Sequence, residues 1–393
     1  MTRWWAGGRS ALLAAALLPA ACSMKTIVLD HGGTAGGGGA NGIDAGLGGG
    51  GNGVGDGGTS DANRVHCSGG AQSFSLAVAP EVPSVMFAVD RSPSMGKNNL
   101  GTSGTRYTVI RAAISDTVTK YTSLAGFGYV EFPGQSSDSS CSDCCIGGFV
   151  PPSLGHGPGA ILDKMNSCWN PAAGQYNCLG SSEAPSAQAL KKISTSLKNS
   201  MGPLYAILLT DGPPSCSLDS TPDVCDQTAQ LVSDMALSLP HIVTAVVAIG
   251  DVPIDSDDGG PPINNCLSNI AFAGGQPSGM SSPFYYVANT DVLARSQIDS
   301  VVSGTICHID ITEPSFDQNP TRLEVDVNGT PIPNDPVNGW TLSTRLDGVP
   351  RLDFSGTGCT SLISGLNRSS PRVVVKGCPD PRAPAPFPSP GGP

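Results

Sequence analysis

The sequence predicts an α/β fold: a doubly wound, mostly parallel sheet of Rossmann-like type, with a cysteine-rich insertion and a small C-terminal β module. Three observations predict it. Near-continuous apolar runs alternate with helical periodicity from Val85 to Ser303, the pattern of βα units whose strands are covered on both faces. Residues 133–180 break the alternation with five cysteines and many Gly, Pro and Ser residues. After Cys307 the texture changes to short β-like runs.

In chain order, Arg3, Arg9 and the apolar run Ala11 to Ala21 read as an export signal over residues 1–21. The run is too short to span a bilayer. Leu18-Pro19-Ala20-Ala21-Cys22 resembles a bacterial lipobox, which implies that Cys22 carries lipid and becomes the new N-terminus. Pro19 departs from that pattern, and ordinary signal cleavage is the alternative. Residues 22–66 are expected to be a lipid anchor and linker: 16 of the 30 residues from His31 to Ser60 are glycine, too little apolar surface to offset the entropy of ordering them. Such a tether spans roughly 30 Å as a random coil. The expected location is the bacterial cell envelope, lipid-anchored at the outer membrane or cell surface, with membrane contact through the N-terminal lipid only.

The sheet domain is expected over 67–304, within a chain of 393 residues that accommodates two folded units plus tails. Strands are predicted at Val85 to Val89, Phe127 to Phe132, Leu204 to Leu209, Ile242 to Ile249 and Phe284 to Val287. Between Arg106 and Tyr121, apolar residues at Tyr107, Ile110, Ile114, Val118 and Tyr121 make one buried helical stripe, and Leu190, Ile193 and Leu197 repeat the spacing. A loop as long as 133–180 inside a compact domain is functional or disordered, and its cysteines argue for stapling. The β module is expected over 305–378, from runs at Arg322 to Val327, Arg351 to Phe354 and Arg372 to Lys376 and an Asn328-Gly329 hairpin signal. Residues 379–393 read as a proline-rich tail.

A net charge of -11 without a basic cluster argues against nucleic acid. There are 13 cysteines, and setting Cys22 aside leaves an even set, which in an exported chain implies disulfides. Proximity suggests that Cys216 and Cys225 pair. Cys141, Cys144 and Cys145 with His156 are the alternative zinc set, although no second CxxC completes it.

Chemistry concentrates in Asp90-Arg91-Ser92-Pro93-Ser94, directly after the first apolar strand. A loop leaving the carboxyl end of a parallel strand can aim one carboxylate and two hydroxyls at a common point, and hard divalent cations take oxygen ligands. Alone, the string also suits a helix N-cap. Thr210-Asp211-Gly212 leaves a second apolar strand at the same expected edge, and two acids there repel unless a cation lies between them.

A strand followed by DxSxS, then a strand ending in Thr-Asp-Gly, resembles a von Willebrand factor type A (vWA) domain with its metal-ion-dependent adhesion site, over roughly Pro83 to Gly304. The resemblance implies that Asp90, Ser92 and Ser94 are ligands of a divalent cation, magnesium first with manganese or calcium as alternatives, and that Asp211 bonds it directly or through water. It also implies a threonine from a middle loop. Here the matching run, Glu183 to Leu190, has Ala184 in that place, which implies a weaker or differently regulated cation, with Ser186 as the substitute ligand or a water in the threonine's position.

The function expected is cation-dependent adhesion or protein binding, in which a partner's carboxylate completes the metal shell. The alternative is a disulfide-stapled scaffold or interaction subunit of an envelope complex, with a weak or empty site. No enzymatic activity is expected, since neither an HExxH pairing nor a GxSxG elbow occurs. Asp251, Asp255, Asp257 and Asp258 lack EF-hand spacing and read as a solvated loop.

Overall fold

The four longest apolar runs form the parallel centre of a six-stranded sheet. The computed structural model describes residues 74–377, apart from 79–81, 103, 135–143, 156, 167–168, 171–174, 177–182, 201, 219–222, 252–262, 280, 312–322, 345–347 and 367–372. The signal segment, Cys22, the glycine-rich linker and the 379–393 tail lie outside the described residues, as do Cys67, Cys141, His156, Cys168, Cys178 and Cys378.

The elements run β1 (Phe74–Val78), β2 (Ser84–Asp90), α1 (Pro93–Lys97), α2 (Arg106–Tyr121), β3 (Gly126–Phe132), β4 (Phe149–Leu154), α3 (Gly159–Asn166), β5 (Trp169–Asn170), β6 (Gln175–Tyr176), α4 (Ser186–Leu197), β7 (Leu204–Thr210) and α5 (Val224–Leu237). They continue with β8 (Ile242–Ile249), α6 (Ile263–Ala273), β9 (Tyr286–Ala288), α7 (Asp291–Ile306), β10 (His308–Asp310), β11 (Glu324–Val327), β12 (Thr330–Ile332), β13 (Trp340–Thr344), β14 (Pro350–Phe354), α8 (Gly356–Leu366) and β15 (Val373–Gly377).

The main sheet has the order β4-β3-β2-β7-β8-β9. Every pair is parallel except β3 with β4. Because strand side chains alternate between faces, β2 feeds two cores. Val85, Phe87 and Val89 pack with Ile110 and Ile114 of α2 and Ile298 and Val302 of α7. Met86 and Ala88 pack on the other face with Leu190 and Ile193 of α4, Val232 of α5 and Ile270 of α6. Both faces are covered, so the strands read as continuous apolar runs rather than alternating ones. The chain moves from β2 to β3 on one side and returns through α4 to β7 on the other. The crevice at the carboxyl ends of β2 and β7 is therefore the topological switch point, where open α/β sheets bind ligands.

The cysteine-rich segment is more regular than its composition suggests. It supplies β4, the antiparallel edge of the main sheet, and α3. Pro151 and Pro152 mask β4 in the sequence, but an edge strand needs only half its backbone groups for pairing and tolerates proline. Cys144 is joined to Cys216, which fastens this segment to the loop after β7. Cys225 pairs with Cys266, not with Cys216: Cys225 opens α5, which lies against α6, the helix that carries Cys266. Cys145 is also disulfide-bonded, so neither Cys144 nor Cys145 offers zinc a thiolate.

The C-terminal module holds two small antiparallel sheets, β10-β14-β13 and β1-β15-β11-β12, around Val325, Trp340, Leu352, Val373 and Val375. Cys307 pairs with Cys359, and α8 adds a helix to what the sequence shows only as strands. Asn328 and Gly329 carry positive φ of 52° and 81°, as a tight hairpin between β11 and β12 requires. The boundary expected at residues 67–304 needs correcting, because β1 precedes the main sheet yet pairs with β15 at the far end of the fold. The main sheet is thus inserted into the chain of the β module. At their junction the Tyr205 hydroxyl donates to Nε2 of His308, 2.5 Å away, while His308 Nδ1 donates to the Gly304 carbonyl at 3.0 Å. Among the described residues no helix is long and apolar enough to cross a membrane.

Candidate metal centre

Asp90 is the last residue of β2 and is 1% exposed. Its backbone continues into a turn in which the Ser92 N–H donates to Asp90 Oδ1 at 2.7 Å. Pro93 then starts α1 with the φ that a first helical turn needs. This turn brings the Ser92 and Ser94 hydroxyls within 2.9 Å of each other. Across the switch point, the Ser94 hydroxyl donates to Asp211 Oδ1 at 2.9 Å, and the Ser92 hydroxyl is 3.4 Å from the same oxygen. Asp90, Ser92, Ser94 and Asp211 are thereby gathered in one crevice.

Thr210 completes the link between the two loops, its hydroxyl donating to Asp90 Oδ2 at 2.7 Å and accepting the Gly212 N–H at 3.2 Å. Arg106, the first residue of α2, donates through a terminal guanidinium nitrogen to Asp211 Oδ2 at 2.7 Å. Sequence reasoning assigned neither residue a role. Thr210 stood beside an assigned acid, whereas no local pattern marks Arg106.

Burial, and then repulsion from Asp211, push the Asp90 carboxyl up to about 6, against the hydrogen bonds from Ser92 and Thr210 that favour its ionised form. A carboxylate pair held this close is a strong attractor for positive charge. Beside it, Arg91 is 2% exposed and forms an ion pair with Glu131 on β3. Glu131 also accepts from the Tyr129 hydroxyl and the Gly148 N–H, both at 2.9 Å, so this neighbouring charge is balanced.

Ser186 is not drawn into the cluster. It is fully buried at the start of α4, and its hydroxyl donates to the Ala184 carbonyl at 3.3 Å. The Ala184 loop is held instead by the loop after β7, the Ala184 N–H donating to Ser215 Oγ at 2.6 Å and the Ser215 N–H to the Ala184 carbonyl at 3.1 Å.

The donor set suits a hard divalent cation. Oxygens held about 2.1 Å from magnesium lie about 3 Å from their nearest neighbours in an octahedral shell. The separations of 2.9 Å from Ser94 to Ser92 and to Asp211 match that edge length, and the third, from Ser92 to Asp211, is longer at 3.4 Å. Among the described residues no three His, Cys, Asp or Glu side chains gather anywhere, and this centre is half hydroxyl. Asp90, Ser92, Ser94 and Asp211 are the residues that would hold the ion.

No family model and no curated protein matches this chain. Solved structures do. The pilus adhesin SpaC from Lactobacillus rhamnosus GG is 13% identical, with a TM-score of 0.44 over 78% of this chain and 40% of that one. A von Willebrand factor type A protein from Catenulispora acidiphila is 14% identical, with a TM-score of 0.38 over 78% of this chain and 61% of that one. The manganese-loaded TRAP protein of Plasmodium vivax is 15% identical, with a TM-score of 0.38 over 65% of this chain and 90% of that one. The chain thus spans less than half the length of SpaC. On its own topology, an antiparallel edge on a parallel sheet with the DxSxS and Thr-Asp-Gly loops at one switch point, the chain has a vWA-like fold.

Proposed function

We propose that this chain is a non-enzymatic, cation-dependent adhesion or protein-binding lipoprotein of the bacterial cell envelope, anchored through Cys22. The observation that carries the reading is the convergence of Ser92, Ser94 and Asp211 oxygens, with Asp90 behind them, at the switch point of the sheet. A bound divalent cation supplies an electrophilic position that a partner's carboxylate can complete. This chain's own residues do the rest. Thr210 and the Ser92 N–H fix both oxygens of Asp90, and the Cys144–Cys216 bridge fixes the rim loop that follows Asp211. Binding is favoured over turnover because both carboxylates already accept hydrogen bonds from the protein on each oxygen and are not presented as general bases.

Calorimetric titration with magnesium, manganese and calcium tests the reading. Saturable binding of at least one ion, lost in Asp90→Ala, is expected; no binding at millimolar concentration would overturn it. Two observations favour the second reading, a stapled scaffold with a weakly held or empty site. Arg106 already engages one oxygen of Asp211, and Ala184 brings no hydroxyl to the middle loop.

A further inference from the structure

We propose that Arg106 is an internal counter-cation of this centre: it neutralises Asp211 in the metal-free protein, competes with a divalent cation for that carboxylate, and so sets how tightly the cation is held. The inference rests on the reading of Asp90, Ser92, Ser94 and Asp211 as cation ligands.

The two oxygens of Asp211 have different partners. Oδ1 faces the Ser92 and Ser94 hydroxyls, the candidate cation position, while Oδ2 receives Arg106. The side chains of Arg106 and Asp211 are only 15% and 4% exposed, so their attraction is weakly screened by solvent. The pairing is built into the backbone. Thr105 caps α2, accepting the Thr108 N–H, and the Arg106 N–H donates to the Asn98 carbonyl at 2.9 Å, which fixes where the side chain departs. Opposite, Gly250 at the end of β8 leaves the guanidinium its seat. A Cβ there would fall 2.4 to 2.6 Å from three of the guanidinium atoms.

Arg106 Nε is buried with no hydrogen-bond partner among the described residues. The group is therefore held chiefly by Asp211 on one side and the Gly250 backbone on the other, and its burial depends on Asp211 being charged. Asp90 and Asp211 bring two negative charges and Arg106 one positive, while Arg91 and Glu131 cancel. A divalent cation thus enters a pocket of net charge minus one rather than minus two, next to a fixed positive charge. Like charges a few ångströms apart in a poorly solvated crevice weaken binding by orders of magnitude. The same charge neutralises Asp211 when no cation is present.

Manganese and magnesium titrations of the purified native protein, Arg106→Gln and Arg106→Lys, with melting in EDTA, test this. Arg106→Gln is expected to bind manganese at least tenfold more tightly and to melt lower in EDTA, whereas Arg106→Lys stays within about threefold of the native affinity. A role in packing alone predicts the lower melting without tighter binding. Gly250→Ala crowds the guanidinium while keeping Arg106, and because Gly250 has a φ of 84° it also strains the backbone, so it is read by affinity alone: it is expected to tighten manganese binding and provides the measurement if Arg106→Gln does not fold. Unchanged or weaker affinity in these variants, with the native protein binding, overturns this inference alone. Absence of binding by the native protein and all variants overturns the proposed function with it.

Discussion

Thr210 and Asp90, 120 positions apart in the chain, are joined by a 2.7 Å hydrogen bond from the threonine hydroxyl to the second oxygen of a carboxylate buried at the switch point. The bond closes the crevice between β2 and β7 at the level where the candidate ligands converge. Thr210→Val preserves shape but leaves that oxygen without its donor. Leaving a buried charged acceptor unsatisfied costs about 1–3 kcal/mol, so urea unfolding in EDTA at neutral pH is expected to show a loss of that size. Weaker manganese binding should accompany it, because Asp90 is then free to rotate. An unchanged midpoint would mean that the bond contributes nothing net.

The burial of Asp90 has a pH signature. Its folded-state value of about 6 lies above the 3.8 of an ordinary aspartate, so between those limits the folded state binds the extra proton. Stability attributable to this group is therefore full below about pH 4 and falls as pH rises through 6. Keeping the carboxylate ionised in this buried position costs on the order of 3 kcal/mol above pH 7. In Asp90→Asn the amide oxygen can still accept from Ser92 and the amide nitrogen can donate to Thr210, while the charge is gone. Measured in EDTA from pH 3.5 to 8, the variant is expected to match the native protein at the acid end and to be the more stable one above pH 7. A stability difference that does not change with pH would contradict the argument.

The parts of the fold that the sequence shows are those governed by burial. Val85 to Val89 and Ile242 to Ile249 are covered on both faces, so their apolar runs coincide with β2 and β8 almost residue for residue. The stripe from Tyr107 to Tyr121 likewise becomes α2. What local pattern does not show depends on partners far away in the chain. β4 carries two prolines that an interior strand would not tolerate, and only its edge position explains them. The last predicted strand begins two residues early, since Phe284 packs against Phe272 of α6 before the strand starts at Tyr286. In the site, the DxSxS and Thr-Asp-Gly strings locate four oxygens, but Arg106 reaches Asp211 only because α2 starts beside β7's end and Gly250 leaves room.

The Cys144–Cys216 bridge closes a loop with a sequence separation of 72, which in the chain-entropy account contributes about 4 kcal/mol. It also holds the rim loop whose Ser215 pins Ala184. Cys144→Ala combined with Cys216→Ala is expected to lose about 2–4 kcal/mol in urea unfolding and to speed hydrogen exchange at the Ala184 and Ser215 amides. Full stability in the double variant would show that packing alone seats the insertion.

The N-terminal strand ties the two halves of the fold together. β15 lies between β1 and β11, paired with β1 from Phe74 opposite Gly377 to Val78 opposite Val373. Val373 and Val375 are fully buried, so β15 behaves as an interior strand only while β1 is present. Without β1 its backbone groups form a bare edge, a template for pairing with other chains. A protein starting at Val82 keeps the whole main sheet and the candidate ligands, and cation binding is expected to survive. The β module should lose several ladder hydrogen bonds, each contributing about 0.5–1.5 kcal/mol. Hydrogen exchange at Val373 to Gly377 is expected to accelerate, and light scattering to show concentration-dependent association, relative to a protein starting at residue 67. Equal protection of β15 in both proteins would show that β1 is dispensable and that the β module closes on its own residues.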